Sequence, residues 1–150
     1  MIVQFEVLGR CQPKQRPRKG KGGHFYTPQA TKDYEREVGW AAKLAMKGKK
    51  IFTGSVSCKI VIYHKIPASW SAHEKRMAID GLRTPKGSDI DNCCKGIFDG
   101  LNGVLWKDDR LVTHFNARKA YAIDPKVTIT VQDAGKDTKP EQTEKKPEKS

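Results

Sequence analysis

Carboxylates gather in two short stretches of a chain that is otherwise strongly basic. Asp89, Asp91 and Asp99 surround Lys95 in "GSDIDNCCKGIFDG", and two more acids follow in "KDDR" at 107–110. The 150 residues together carry a formal net charge of +12. Such a cluster is either a solvated turn and helix face or a site for a metal ion, and the spacing of the acids bears on the choice.

The segment from Asn92 to Leu101 has the spacing of an amphipathic helix. Its apolar side chains fall at i, i+3, i+4 and i+7 and form a stripe that faces a core: Cys94, Ile97, Phe98 and Leu101. Asp91, Lys95 and Asp99 follow at four-residue intervals on the other side. We expect Asp91 to cap this helix, because a carboxylate accepts a bond from a backbone N–H left free there. An exposed Asp91–Lys95 ion pair contributes only a few tenths of a kcal/mol, and for that pair alone the solvated face is favoured.

The other acids add weight to a metal site. Asp89 precedes Asp91 by two residues, so an extended backbone would place both side chains on one side. Asp108 and Asp109 begin the next strand, which would return one of them to the helix start. Three carboxylates at one point repel one another unless a cation neutralises them, and oxygen ligands suit Mg²⁺ or Mn²⁺. Two such ions about 4 Å apart assist phosphodiester hydrolysis, and Lys95 would hold the phosphate. Spacing alone leaves both interpretations open.

The excess of positive charge favours a polyanionic partner, and the sequence pI is about 9.6. One flexible, glycine-rich stretch, "PKQRPRKGKGGH", carries five cations: Lys14, Arg16, Arg18, Lys19 and Lys21. This basic loop either follows a phosphate backbone and orders on binding or only solubilises the chain. Arg118 and Lys119, on the strand that follows Asp109, are further candidates for contact with DNA.

The remaining composition excludes several other classes of protein. The four cysteines show no paired CxxC spacing and the four histidines no ligand spacing, so neither set predicts a metal site. No apolar run approaches the roughly 20 residues that span a bilayer, and the first residues lack the pattern of a signal peptide. We therefore expect a cytoplasmic protein without a membrane partner.

The elements that position these residues follow from hydrophobic periodicity and turn residues. Strands are expected at 3–7, 55–67, 110–121 and 126–132, and helices at 28–47, within 69–81 and at 92–101, with Thr27 as the cap of the first. The β-α-β-α-β-β order of the main elements predicts an α+β fold, a small mixed sheet packed with two main helices. Residues 133–150 contain no aromatic or branched aliphatic side chain and are predicted to be a disordered charged tail after a domain at 1–132.

The acidic stretch and its neighbours resemble a known family signature. "DIDNCCKGIFDGLNGVLWKDDRLV" is similar to the pattern of the RusA family of Holliday-junction resolvases: Asp-x-Asp-Asn, a lysine four residues after the second Asp, a "DGLNG"-type element and Asp-Asp. "IPASWSAHEKR" resembles a segment of its phage-type members. Ser88 stands where proline often precedes the first Asp, a departure that removes no ligand. The resemblance implies a small α+β fold and a Mg²⁺-dependent homodimer that nicks two opposed strands of a four-way DNA junction.

The resemblance also implies roles for individual residues. The catalytic residues are Asp89, Asp91, Asp109 and Lys95, and the same three carboxylates, with Asp108 in a secondary role, hold Mg²⁺ or Mn²⁺. The family's basic loop joins the first strand to the first helix as the basic loop does here, which favours DNA contact. Independently of the resemblance, the four-residue spacing leaves Asp99 either as a support for Lys95 or in an outer layer of the metal site. The alternatives are a non-catalytic nucleic-acid-binding protein and a nuclease for flaps or forks. The resemblance of "IPASWSAHEKR" to phage-type members of the family suggests a phage- or prophage-encoded protein in the bacterial cytoplasm.

Overall fold

The structure is a computed structural model that describes residues 1–135, folded as a mixed four-stranded sheet with helices packed against it. Its elements in chain order are β1 (Ile2–Leu8), β2 (Arg18–Lys19), β3 (Phe25–Tyr26), α1 (Gln29–Met46), β4 (Val56–Lys65), α2 (Ala72–Ile79), α3 (Ile90–Leu101), β5 (Val112–Ala122) and β6 (Lys126–Asp133). The predicted α+β class is confirmed. The short β2–β3 hairpin inside the basic loop was not predicted from the sequence.

The sheet has the strand order β1-β6-β4-β5. Strand β6 runs antiparallel to both β1 and β4, whereas β4 and β5 are parallel. Parallel neighbours need a long crossover, and here residues 66–111 supply it with α2 and α3. All four predicted catalytic residues lie within this crossover.

The core lies between one face of the sheet and the helices α1 and α3. The alternation predicted for β6 is confirmed, because Val127, Ile129 and Val131 are all fully buried. They meet a helical layer that includes Val38 of α1 and Ile97 of α3, both also fully buried. Burial of such a side chain contributes about 1.5–3 kcal/mol, so this layer holds the crossover on the sheet.

Helices α1 and α3 cross with their backbones in close approach. A Cβ at Gly100 would lie 2.7 Å from the Glu35 carbonyl oxygen, and one at Gly39 would lie 3.0 Å from the Gly100 carbonyl oxygen. A side chain at Gly100 would therefore force the two helices apart. The two glycines fix the position of α3 relative to α1.

Two predicted helix starts are wrong. Helix α3 begins at Ile90 with Asp89 as its N-cap residue, so Asp91 lies in the first turn and does not cap the helix. Helix α1 has Pro28 rather than Thr27 as its N-cap residue. Both cap residues have extended ψ angles, 129° at Asp89 and 146° at Pro28, and the helical backbone begins only after them.

The C-terminal strand extends slightly beyond the predicted domain. Asp133 ends β6, and its carboxylate accepts a bond of 2.7 Å from the amino terminus of Met1. The rest of the predicted tail, apart from Ala134 and Gly135, lies outside the described residues. Among residues 1–135, no helix combines the length and apolarity that crossing a bilayer requires.

Candidate active site

A cavity of about 320 Å³ opens beside the first two turns of α3 and the start of β5. Asp91 and Lys95 line it together because they are one helical turn apart. Asp109 reaches the same cavity from the short 3₁₀ turn Asp109–Leu111 that precedes β5. The wall is completed by apolar side chains and a thiol: Cys94, Phe98, Val112 and Phe115. The structure thus brings two predicted carboxylates and the predicted lysine to one place.

Asp109 is positioned from the protein interior. The fully buried Trp106 donates its indole N–H to the Asn102 side-chain oxygen over 2.7 Å. The Asn102 amide nitrogen in turn approaches a carboxylate oxygen of Asp109 at 3.5 Å. Asn102 therefore orients the acid through the core. Sequence reasoning placed Asn102 in the "DGLNG" element but assigned it no role.

Asp108 has a different environment although it is adjacent in sequence. Its carboxylate accepts the Arg110 backbone N–H at 2.9 Å and so caps the 3₁₀ turn. It lines a separate cavity with Phe52 and Leu111. Because the two side chains diverge, only Asp109 faces Asp91.

Asp89 lies at the start of α3 and is exposed. The Asn92 amide nitrogen donates to its carboxylate at 3.4 Å, and Asp89 does not line the cavity of Asp91 and Asp109. Within residues 1–135, no three His, Cys, Asp or Glu side chains converge on a ready-made metal site. Mg²⁺ commonly uses one or two carboxylates and completes its shell with water and substrate phosphate oxygens. The oxygen donors Asp91 and Asp109 fit such an ion, and Asp89 lies two residues before Asp91 at the start of α3.

The acids of the cavity have no basic partner in the described part of the chain. None of the ion pairs found there includes Asp89, Asp91 or Asp109. Lys95 is absent from these pairs as well, so the predicted exposed Asp91–Lys95 salt bridge is not formed. The solvated-face interpretation of this cluster loses the contact on which it depended.

Asp99 and Lys14 form a second charged cluster, on the far half of α3. The Lys14 ammonium lies 2.6 Å from an oxygen of Asp99 and 2.9 Å from one of Glu35 on α1. Burial disfavours the charge of Lys14, but the hydrogen bonds that its ammonium donates to Asp99 and Glu35 outweigh this effect and raise the lysine pKa. Asp99 therefore pairs with Lys14, and the Asp99–Lys95 pair, one of the two alternatives for Asp99, is not found among residues 1–135.

The other predicted DNA-contacting cations differ in their exposure. Arg16, Arg18, Lys19 and Lys21 are exposed in and around the β2–β3 hairpin, in which Arg18 pairs with Tyr26 and Lys19 with Phe25. Arg118 is exposed on β5. Lys119 is half-buried and donates to the Ser88 carbonyl oxygen at 3.1 Å, where it holds the segment before Asp89.

The cysteines do not add metal ligands, and the half-buried His64 does not line the cavity. All four cysteines are free and buried, and burial raises the pKa of the Cys94 thiol, which lines the cavity, to about 12. A thiol in this state is a poor ligand, since the thiolate is the metal-binding form. His64 packs near Gly87, and burial, reinforced by the charges of Lys119 and Arg10, lowers its pKa.

Comparison with known proteins identifies the family of the chain. The family model described as endodeoxyribonuclease RusA matches residues 9–132. An uncharacterized protein, YqaN of Bacillus subtilis strain 168, is 31% identical over 138 residues, which cover 87% of this chain and 96% of that protein. The match includes α3, the 3₁₀ turn and the basic loop, and it confirms the resemblance seen in the acidic motif. The chain belongs to the RusA family of endodeoxyribonucleases.

Proposed function

We propose that this protein is a Mg²⁺-dependent endonuclease that resolves four-way DNA junctions by paired, symmetric nicks in recombination and repair. The observation that carries the proposal is the shared cavity of Asp91, Lys95 and Asp109. Membership of an endodeoxyribonuclease family supports the class of reaction. The basic charge of the chain supports a phosphate-rich substrate.

Each residue of the site has a chemical task in this proposal. Asp91 and Asp109, together with Asp89, would hold the metal ion, which would supply water activation and stabilisation of charge on the phosphate. Lys95 binds a non-bridging phosphate oxygen beside these acids and stabilises the negative charge that grows there. Asn102 keeps the Asp109 carboxylate aimed at the cavity. Asp108 is left with a capping task.

The exposed cations of the basic loop are the proposed contacts to the DNA backbone. Arg16, Arg18, Lys19 and Lys21 offer charge without an ion-pair partner among the described residues, and Arg118 adds to them from β5. Such contacts position the junction and do not read its sequence. Because the Lys119 ammonium already donates to the Ser88 carbonyl oxygen, we propose a smaller contribution of Lys119 to DNA binding.

A homodimer would match the two-fold arrangement of a four-way junction. A symmetric pair of chains presents one active site to each of two opposed strands, which accounts for paired nicks. The proposed setting is the bacterial cytoplasm, with phage or prophage as the source of the gene, as the resemblance of "IPASWSAHEKR" to phage-type members suggests.

The test uses a four-way junction labelled in turn on each strand, together with flap, fork and linear duplex substrates. In Mg²⁺ the protein is expected to cut two opposed junction strands at symmetric positions, and chelation is expected to stop the reaction. Binding without cutting in Mg²⁺ or Mn²⁺ would support the non-catalytic alternative. Faster cutting of flaps or forks than of the junction would show that the protein is a nuclease whose preferred substrate is a different branched DNA.

A further inference from the structure

The stem of the basic loop is attached directly to the helix that carries the candidate catalytic residues. The Lys14 backbone N–H donates to the Asn92 carbonyl oxygen at 3.0 Å, between Asp91 and Lys95 in the sequence. A Cβ at Gly96 would lie 3.5 Å from the Gln12 carbonyl oxygen, so the loop passes immediately over α3. The loop and the cavity are therefore built on adjoining turns of one helix.

The Lys14 side chain strengthens this attachment and extends it to α1. Its ammonium group bridges Asp99 on α3 and Glu35 on α1, in a partly buried setting. Gln15 adds a neighbouring anchor, because its backbone N–H donates to the Thr31 hydroxyl on α1 at 3.2 Å. Beyond Gln15 the loop continues into the exposed cations and the β2–β3 hairpin.

The charge of Lys14 is already matched inside the protein. One ammonium lies between two carboxylates, so the cluster has a formal excess of negative charge and offers little attraction to a phosphate. Withdrawing Lys14 to reach DNA would leave Glu35 and Asp99 facing each other without a cation. Lys14 thus differs from the other loop cations, which have no such bonds among the described residues.

The two helices also have contacts to which Lys14 does not contribute. Gly100 closely approaches the Glu35 carbonyl oxygen, and core residues of both helices are buried against the sheet. Loss of the ammonium is therefore expected to release the loop and leave the α1–α3 pair in place.

We propose that Lys14 is a positioning residue that couples the DNA-binding loop to the helix carrying Asp91 and Lys95. Through this link, DNA held by the loop is presented to the cavity in a fixed register. The inference rests on the proposed nuclease function, since it assigns the loop to DNA and the cavity to cleavage. It also predicts that the loop is ordered before DNA binds.

The first test measures amide hydrogen exchange in residues 15–28 of the free protein, without DNA or metal. Lys14→Met is expected to speed exchange there about tenfold, because bonds to charged groups are among the stronger anchors, while core segments keep their protection. The matched variant Lys19→Met removes a loop cation whose side chain has no bonding partner among residues 1–135. Its loop amides are expected to exchange at the rate of the parent. Equal exchange in Lys14→Met and the parent would overturn the proposal.

A second pair of variants protects this test against a folding failure of Lys14→Met. Glu35→Gln removes one of the two acids that hold Lys14 and is expected to speed loop exchange by a smaller factor. Glu37→Gln removes an exposed acid from the same helix and controls for the change in charge. A loop that responds equally to both variants would contradict the link.

The second test separates positioning from phosphate contact. Lys14→Met is expected to weaken junction binding without changing the slope of the logarithm of the binding constant against the logarithm of the salt concentration. Lys19→Met is expected to make this negative slope shallower by about 0.9. With the junction saturated, single-turnover nicking is expected to fall in Lys14→Met, recover in Lys14→Arg and stay at the parent rate in Lys43→Met on α1. A reduced slope for Lys14→Met would make it a DNA contact instead. The exchange test needs no cleavage, so its outcome is independent of the proposed nuclease activity.

Discussion

The two ends of α3 carry acids in opposite electrostatic situations. Toward the C-terminal end, Asp99 shares the Lys14 ammonium with Glu35 at distances below 3 Å. At the N-terminal end, Asp91 faces Asp109 across a cavity, and neither takes part in an ion pair within the described chain. A protein of net charge +12 has cations to spare, yet leaves these acids uncompensated. The Asp99 cluster therefore has its cation within the protein and serves the structure, whereas the pair of Asp91 and Asp109 is suited to a cation from solution.

The largest effect that sharpens this comparison comes from the adjacent acids at the start of β5. Asp109→Asn is expected to lower junction nicking in Mg²⁺ at least about 10³-fold, because several kcal/mol of charge stabilisation are lost with a metal ligand. Asp108→Asn keeps a capping oxygen and is expected to change the rate by less than about threefold. Single-turnover nicking rates measure both. Equal losses in the two variants would break the distinction between their side chains.

Lys95 is expected to give the next largest effect. Lys95→Met should slow nicking about 10²-fold, since one positioned charge on the developing anion is lost. Binding is expected to change little, because the loop cations remain. The measurement is the nicking rate at saturating junction, with Lys107→Met as an exposed control nearby in the chain. A loss in binding alone would move Lys95 from catalysis to DNA attachment.

The basic loop gives a smaller effect that is spread over all DNA. Replacing Lys19 and Lys21 together by Ala is expected to weaken binding to junction and duplex alike and to lower the salt slope by about one per lost phosphate contact. Titrations at several salt concentrations test this expectation. An unchanged slope would remove the hairpin from the DNA surface.

The smallest expected effect concerns His64, which lies beneath the segment leading to Asp89. Its pKa is lowered in the folded protein, so the neutral form stabilises the fold above the ordinary value of 6.5, and this contribution is lost as the pH falls below it. The parent is therefore expected to lose more thermal stability than His64→Gln when the pH falls from about 7.5 to about 5.5, measured as a larger drop in Tm. His73→Gln, on the exposed side of α2, is the control. Parallel pH profiles of the parent and His64→Gln would contradict this account.

The features that depend on local periodicity could be predicted from the sequence. The apolar stripe of α3 and the alternation of β6 follow from spacings of 3.6 and 2 residues, and both are buried as expected except for Phe98, which is partly buried and lines the cavity. The motif around Asp91 likewise pointed to the family that the comparison confirms. These are patterns within single elements or within one continuous stretch.

The features that were missed depend on contacts between distant parts of the chain. Lys14 and Asp99 are 85 residues apart, and nothing in either segment marks them as a pair. Spacing alone left open whether Asp108 or Asp109 returns to the helix start, because only the turn before β5 separates their directions. The Asn102 contact to Asp109 and the β2–β3 hairpin also arise only after the crossover and the loop have packed on the core.

The most direct test of the account is the nicking of a pre-bound four-way junction by Asp91→Asn, started by addition of Mg²⁺. The acid at the N-terminal end of α3 is predicted to be essential for cutting and dispensable for binding, so nicking is abolished while junction affinity is retained. Asp99→Asn, at the other end of the helix, is predicted to loosen the loop and to retain part of the activity. Undiminished nicking by Asp91→Asn at parental affinity would contradict the assignment of this cavity as the active site.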